Sequence, residues 1–451
     1  MIAFSAFTLL QSCLNNTLFT SFFWVKPYNL AVDVTPAAVI RPESTEEVAA
    51  IVQCAVKTGF KVQARSGGHS YANFGLGNGA STVDLVNFQN YNINESSWHA
   101  NIGPGMNLGN LDQHLHKTGR ALPHGLCPGG GLGPTSRMWG ALLDHIVEVE
   151  MVIANGSIIR AREDLNQHMF YAIRGAGASF GIVTEFVMDT EPEPGSVIQY
   201  TFDLSRSNAQ DSHASVYMQW QDLIGDPDLD RRFGTQLLFS ALGTIMTGSF
   251  FGTEAEWIAS GIPACLPANG TTIITDWLAS LVNWAEQEAL YLTSTPVHFY
   301  SKSLGFRQQD MLSNQSASQQ FKDLAAQPKD TPLWFIVFDA EGGAVNDVAT
   351  NTTAYAHRDN IMFYQSYVVD ALRMSKTSRD FATDFHNDLV ALLPSNDTGR
   401  GTYPGYVGLD ISGVPQERYW ESNLPHLTAL KSLWDPHDIF HNPQSIRPLS
   451  E

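Results

Sequence analysis

The hydrophobic pattern of this chain changes its period once, at "EPEPGS" (Glu191–Ser196), and that change constrains the fold more than any single motif. Before it, short strand-like and helix-like segments alternate. "RPESTEEVAAIVQCAVKTGF" predicts a helix. Ser44 and Glu47 form a capping box, Val48, Ile51, Val52, Ala55 and Val56 recur at helical spacing, and Gly59 stops it. "KVQARSG" predicts a strand running into "GGHSY", and "STVDL" a second strand. "NLGNLDQHLHKTG" predicts another helix, with Leu108, Leu111 and Leu115 on one face and Gly119 at its end. "VEVEMVIANGSIIRA" predicts a hairpin turning on an exposed Asn155-Gly156. Two prolines and a glycine then break the pattern. Beyond them "TQLLFSALGTIMTGSFFG", "VHFYSKSLGF" and "PLWFIVFDAEG" alternate over long runs. They predict a larger antiparallel sheet, with helices such as "ERYWESNLPHLTALKSLW" packed on it. The expected class is α+β. A chain of 451 residues exceeds one ordinary core, so two or three domains are expected.

Charge and composition narrow the function. The net charge of −19 repels phosphate backbones, so nucleic acid is not an expected partner. Met1 to Val25 carries no charged side chain and reads either as a secretion-signal remnant or as a surface-packed helix. It lacks a basic start and a clear cleavage site, and Gln, Ser and two Asn interrupt it, so no membrane span is expected. Asn15, Asn94, Asn155, Asn269, Asn314, Asn351 and Asn396 each open a glycosylation triplet, which points to the secretory pathway. The 14 histidines show no metal-ligand spacing, and no metal is expected. His116 and His124 flank a helix end without clustered carboxylates. His357 and Asp359 in "AYAHRD" read as alternating strand positions with a structural polar role.

Five segments could carry chemistry. In "ARSGGHSY" (Ala64–Tyr71), Gly67 and Gly68 bring backbone N–H groups to a strand end, a nest suited to a pyrophosphate, and His69 projects from the turn. The pattern is neither a Walker loop nor G-x-G-x-x-G. "HGLCPGGGLGPTSRMWG" places Cys127 at the mouth of a glycine-rich loop. "FYAIRGAGASFGIVTEF" (Phe170–Phe186) sets glycines between apolar runs, as a backbone lying against a flat ligand needs. "YPGYVG" (Tyr403–Gly408) and "DPHDIFHNPQSI" complete the set.

In this order, and with "GSFFG" and "TAYAHRD" between them, the segments resemble the berberine-bridge-enzyme-like flavin oxidases, part of the wider vanillyl-alcohol-oxidase type. The fungal carbohydrate oxidases look most similar. The resemblance implies an N-terminal segment (1–31), an FAD-binding domain (32–192), an antiparallel-sheet substrate domain with helices on one face (193–400), and a C-terminal segment (401–451) returning to the FAD domain. It implies FAD tethered twice, by His69 at the 8α-methyl and by Cys127 at C6, which should raise its reduction potential. Ser66, Gly67, Gly68, Ser70, Gly177, Gly181, Ile182, Val183 and Asn442 are implied to surround the cofactor. Tyr71, Tyr300 and Gln365 are implied in the substrate cleft. Tyr406 is implied as the base, with Tyr403 competing; the family's Asp two residues on is Gly408 here. A base needs donors or positive charge to lower a phenol pKa near ~10. Cys13 and Cys54 are implied as a disulfide, leaving Cys127 for the flavin or for pairing with Cys265.

The implied activity is hydride removal from an alcohol or hemiacetal carbon of an oligosaccharide or secondary metabolite, with oxygen reduced to hydrogen peroxide. Aromatic residues of the second domain would stack on sugar faces. A secreted monomer is expected. One departure opens an alternative. "CPG" joins "GGLGPTSR" almost at once, roughly nine residues short of the family pattern, or up to about 30 Å of extended chain. A scaffold that binds flavin poorly, acting as a binding protein or cyclisation catalyst, would tolerate that loss.

Overall fold

The computed structural model describes residues 13, 25–123, 130–204, 213–267, 270–288, 295–394 and 401–449. His124 and Cys127 lie outside them, as do Asn15, Asn269 and Asn396.

Among the described residues the first part carries ten strands. These are β1 (Ala38–Ile40), β2 (Val62–Arg65), β3 (Ser81–Asp84), β4 (Tyr91–Asn94), β5 (His99–Ile102), β6 (Arg120–Ala121), β7 (Ile146–Ile153), β8 (Ile158–Arg162), β9 (Gly181–Asp189) and β10 (Glu191–Pro192). β1, β3 and β2 form a parallel sheet in that order, β4-β5-β9-β7-β8 an antiparallel one, and β6 pairs with β10. The first expected helix, α1, spans Thr45–Thr58. Ser44 Oγ accepts from Glu47 N at 3.3 Å, and Gly59 leaves it with φ 77°. The Glu47 carboxylate reaches the N–H of Glu43, not that of Ser44. Val48, Ile51, Val52 and Ala55 are buried as expected; Val56 is exposed, and Cys54 takes its place in the stripe. Cys54 bonds to Cys13 with the Cα atoms 5.9 Å apart. α2 (Leu108–His116) buries Leu111 and Leu115, and the Asn155-Gly156 turn joins β7 to β8 with Gly156 at φ 80°. All four described glycosylation acceptors, Asn94, Asn155, Asn314 and Asn351, are exposed.

After the proline-rich break come β11 (Val197–Asp203), β12 (Phe233–Ser240), β13 (Gly243–Phe251), β14 (Thr271–Thr275), β15 (His298–Arg307), β16 (Trp334–Ala340) and β17 (Asn360–Asp370). They form one antiparallel sheet in the order β14-β11-β13-β12-β16-β17-β15. Side chains alternate between its faces. Phe239, Phe338 and Tyr364 share a core with Tyr217, Phe321 and Phe385, which come from α4 (His213–Ile224), α5 (Asn314–Ala326) and α6 (Lys376–Ala391). (α3, Gln167–Ala176, precedes them in the first part.) On the other face Leu238, Phe299, Phe335, Val337 and Tyr367 pack against Tyr71 and Ala72. Each such ring, fully buried, contributes about 2 kcal/mol.

Three expectations change. First, the aromatic residues of the sheet build these cores. Among the described residues every Phe, Tyr and Trp is buried or half-buried. Second, "ERYWESNLPHLTALKSLW" does not pack on the large sheet. Tyr419, Trp420 and, from α7 (Leu424–Trp434), Leu427 and Leu430 join Met169, Phe170 and Ile173 of α3. Trp420 Nε1 donates to Gly175 O at 3.1 Å. The apolar stripe of α7 fits α3, and its buried Lys431 finds Ser179 O just beyond α3 and Asp435, Asp438 and Phe440 O in the segment after α7. Third, "AYAHRD" is a loop leading into β17. Asp359 still pairs with Arg307 at 2.8 Å, and His357 Nδ1 stands 3.5 Å from Glu421.

The C-terminal segment ends beside the first sheet. Val62 N donates to Ile439 O at 2.8 Å, and Val62 bridges to Phe440 in parallel. Lys431 Nζ, fully buried, donates to Ser179 O at 2.6 Å and Phe440 O at 3.0 Å. It pairs with Asp435 at 2.7 Å and Asp438 at 3.1 Å.

Candidate active site

β2 ends at Arg65, whose guanidinium meets Asp84 at 3.1 Å; Arg41 takes the other oxygen at 2.8 Å. The chain then turns, with Gly68 at φ 76°, and a Cβ on Gly67 would meet only open space. Among the described residues, the backbone N–H groups of Ser66, Gly67, Gly68, His69 and Ser70 find no acceptor. Five adjacent free donors on an accessible turn are what an anionic phosphate group needs. Ser66 Oγ donates to Pro104 O, and Ser70 Oγ accepts from Phe74 N at 3.0 Å, so both hydroxyls brace the turn. The exposed His69 lies on Tyr28, ring centroids 5.1 Å apart and planes 30° from parallel. Partial burial, then the Arg65 charge, holds its pKa below the ordinary value, so its imidazole is neutral at neutral pH.

Two further segments converge beside β2. Ser179, in the short helix Gly177–Ser179, accepts from Ile446 N at 3.2 Å on its hydroxyl, while its carbonyl holds Lys431. Gln63 Nε2 donates to His441 O, which sets Asn442 next to β2. Asn442 Oδ1 caps Gln444 N at 2.9 Å. Gln444 Nε2 then reaches Gly408 O, and Tyr419 OH reaches Gln444 Oε1, both at 2.7 Å. Gln444 thus ties the C-terminal segment to the Tyr403–Gly408 loop.

That loop meets the large sheet. Tyr403 is buried, and its hydroxyl accepts from Gly131 N at 2.7 Å, holding the glycine-rich segment that follows Cys127. Tyr406 is half-buried, its ring 4.9 Å from that of Tyr403 and nearly perpendicular to it. Asp339 stands on the facing side of β16 and accepts from Gln236 Nε2 at 2.7 Å and from Gln365 Nε2. Tyr367 OH donates to Gln365 Oε1, and the Tyr71 and Tyr367 hydroxyls are 2.9 Å apart. Glu341, two residues past Asp339, is buried with Oε2 unpartnered. Burial, then Asp339, pushes its carboxyl well above the usual range against the pull of Arg137. Burial, then Asp339, Glu341, Tyr71 and Tyr403, likewise raises the Tyr406 phenol well above its ordinary pKa.

Residues 36–162 match the family described as FAD binding domain, and 402–447 match Berberine and berberine like. The chain is 37% identical over 444 residues to the FAD-linked oxidoreductase sorD of Penicillium rubens, covering 94% of this chain and 93% of that one. The chain belongs to the berberine-bridge-enzyme-like FAD-linked oxidases. It is an FAD-linked oxidoreductase of mixed α+β architecture that acts on a small molecule. A solved carbohydrate oxidase from Microdochium nivale superposes with a TM-score of 0.88 at 29% identity, over 98% of this chain and 100% of that one. Glucooligosaccharide oxidase from Acremonium strictum, whose structure concerns a 6-S-cysteinyl, 8α-N1-histidyl FAD, superposes with a TM-score of 0.85 at 27% identity, over 98% and 100%.

Within this berberine-bridge-enzyme-like chain, the structure groups the expected residues unevenly. His69, Ser66, Gly67, Gly68 and Ser70 share the donor-rich turn, with Tyr71 just behind it. Gln365 joins Tyr71 through Tyr367, near Tyr406. Gly177 and Asn442 lie on the two segments that converge beside β2. Cys127 is outside the described residues. Gly181, Ile182 and Val183 present no free side chain to a ligand. Ile182 and Val183 sit in two cores, paired across the ladder with Val152 and Met151. A Cβ on Gly181 would stand 2.7 Å from Val152 O, so its glycine serves the strand contact. Tyr300 is corrected outright. Strand alternation puts it on the helix face, where its hydroxyl meets Thr383 at 3.0 Å and Asp410 at 2.9 Å, opposite the face carrying Gln365. Asp339, Glu341, Tyr367 and Gln444 were not singled out in the sequence. The available signal was "FDAEGG": two acids one residue apart at the end of an apolar strand fall on one face.

Proposed function

We propose that this enzyme oxidises an alcohol or hemiacetal carbon of an oligosaccharide or secondary metabolite, with Tyr406 as the proton acceptor and dioxygen, reduced to hydrogen peroxide, as the final acceptor. The observation that carries the reading is the placement of Tyr406. It sits on a loop anchored by Tyr403 and Gln444, across from Asp339, beside the elements that bear His69. When bound, FAD supplies the two-electron acceptor for the hydride. The free N–H groups of residues 66–70 are suited to hold its pyrophosphate. His69 and Cys127 are the proposed covalent anchors. Tyr406, held above its ordinary pKa by burial and by its negative neighbours, works as a neutral phenol. Its oxygen takes the substrate proton while its own proton moves toward the Asp339 carboxylate. Tyr71, Tyr367 and Gln365 keep Asp339 oriented. The proposed architecture divides the chain at 192 and 400, with 401–451 closing the FAD-binding part. A monomer passing through the secretory pathway agrees with the Cys13–Cys54 bridge and the exposed acceptors.

Acid precipitation tests the cofactor assignment. Wild-type protein is expected to give a yellow pellet. The His69→Ala variant is expected to lose the histidyl linkage, read by peptide mapping, while keeping the flavin. An empty scaffold would leave both pellet and supernatant colourless. The base assignment has a pH test. Phenolate formation is opposed by negative neighbours, so removing one lowers the Tyr406 pKa. The Asp339→Asn variant is expected to lose about 10²-fold in kcat and to move the alkaline limb of kcat to lower pH. An unmoved limb would separate Asp339 from Tyr406.

A further inference from the structure

Segment 28–32 lies across the turn that carries His69, and two buried amides fasten it there. Asn29 Nδ2 donates to Tyr71 O at 2.8 Å and Phe299 O at 3.0 Å. Asn73 Oδ1 accepts from Tyr28 N at 2.9 Å and Asn29 N at 3.0 Å, and its Nδ2 donates to Asn29 O at 2.8 Å and Val32 O at 3.0 Å. Asn73 adopts φ 56° to do so, a conformation Asn tolerates better than most residues. Leu30 N reaches Val297 O at 2.8 Å, so the strap also holds the lead into β15. The clamp fixes the Tyr28 backbone, and the Tyr28 ring is wedged edge-on against Phe299 at 5.4 Å. Its face is what the His69 imidazole lies on.

We propose that Tyr28 is the positioning residue for covalent flavin attachment at His69: held by the Asn29–Asn73 clamp, its ring fixes the plane in which the imidazole is presented. The proposal rests on the reading of His69 as an anchor. In the attachment, an imidazole nitrogen bonds to the 8α-carbon. One proton leaves that carbon and one leaves the imidazole. The two electrons released reduce the ring, and dioxygen reoxidises it, leaving as hydrogen peroxide. A nucleophile must approach along one direction, so an imidazole free to rotate attaches more slowly.

The test follows the flavin peptide. Full-length protein from riboflavin-limited cells is given FAD, and flavin on the His69 peptide and on the Cys127 peptide is quantified over time by mass spectrometry. Tyr28→Ala and Tyr28→Leu are expected to slow attachment at His69 about ten- to a hundredfold. Tyr28→Phe, which keeps the ring, is expected to stay within about twofold of wild type. The Cys127 peptide reports whether each variant still folds and binds FAD. Equal His69 rates in Tyr28→Leu and wild type would overturn the proposal. Wild-type protein with flavin on Cys127 but never on His69 would overturn the anchor reading, and this proposal with it.

Discussion

The Tyr406→Phe variant is expected to lose about 10²- to 10⁴-fold in kcat while KM stays within a few-fold of wild type. The substitution removes one oxygen and leaves the ring. The edge contact with Tyr403 and the packing near Phe363, centroids 6.3 Å apart, survive, so the pocket keeps its shape. What disappears is the group able to take a proton as hydride leaves, an interaction worth little in the ground state. Steady-state kinetics and anaerobic reduction of the bound flavin check it. A kcat within tenfold of wild type would move the base elsewhere. Tyr403 would be a poor successor, because its hydroxyl is already engaged by Gly131 N at 2.7 Å.

The Lys431→Met variant is expected to destabilise the protein by about 3–5 kcal/mol, seen as a lower urea midpoint with an unchanged slope. Both Lys431 and Asp435 have side chains with no solvent exposure. Without the ammonium, Asp435 retains among the described residues the N–H groups of Ile439 and Phe440, at 2.7 and 2.9 Å, and becomes a buried uncompensated charge. The same ammonium holds Ser179 O and Phe440 O, so the C-terminal segment should loosen from the Gly177–Ser179 turn. A midpoint shift worth under about 1 kcal/mol would mean that the pair contributes no more than an exposed one.

Local signals in the sequence carried much of this fold. Ser44 and Gly59 bound α1, Asn155-Gly156 turns the β7–β8 hairpin, and the period change at Glu191–Ser196 separates two kinds of sheet. These features rest on backbone preferences of a few neighbouring residues. Signals that depend on distant partners were not legible. The destination of α7 is decided by its fit to α3 and by Lys431 finding Ser179 O, and neither is visible in "LPHLTALKSLW". Tyr300 was misplaced because motif position says nothing of strand register, and a one-residue slip exchanges the two faces. The site divides the same way. His69 stands out because glycines flank it. Asp339 and Glu341 matter only because β16 aims them at a loop more than 60 residues later, and Tyr28 only because a strap brings it across the turn.

The bond from Val62 to Ile439 has a consequence for biosynthesis. A ribosome builds proteins from one end, and the residues that close on β2 emerge more than 370 positions after it. Loading with the vitamin-derived group should therefore wait until the Tyr403–Ile446 region has emerged, and a product cut short before it should be colourless however well its earlier sheets have formed.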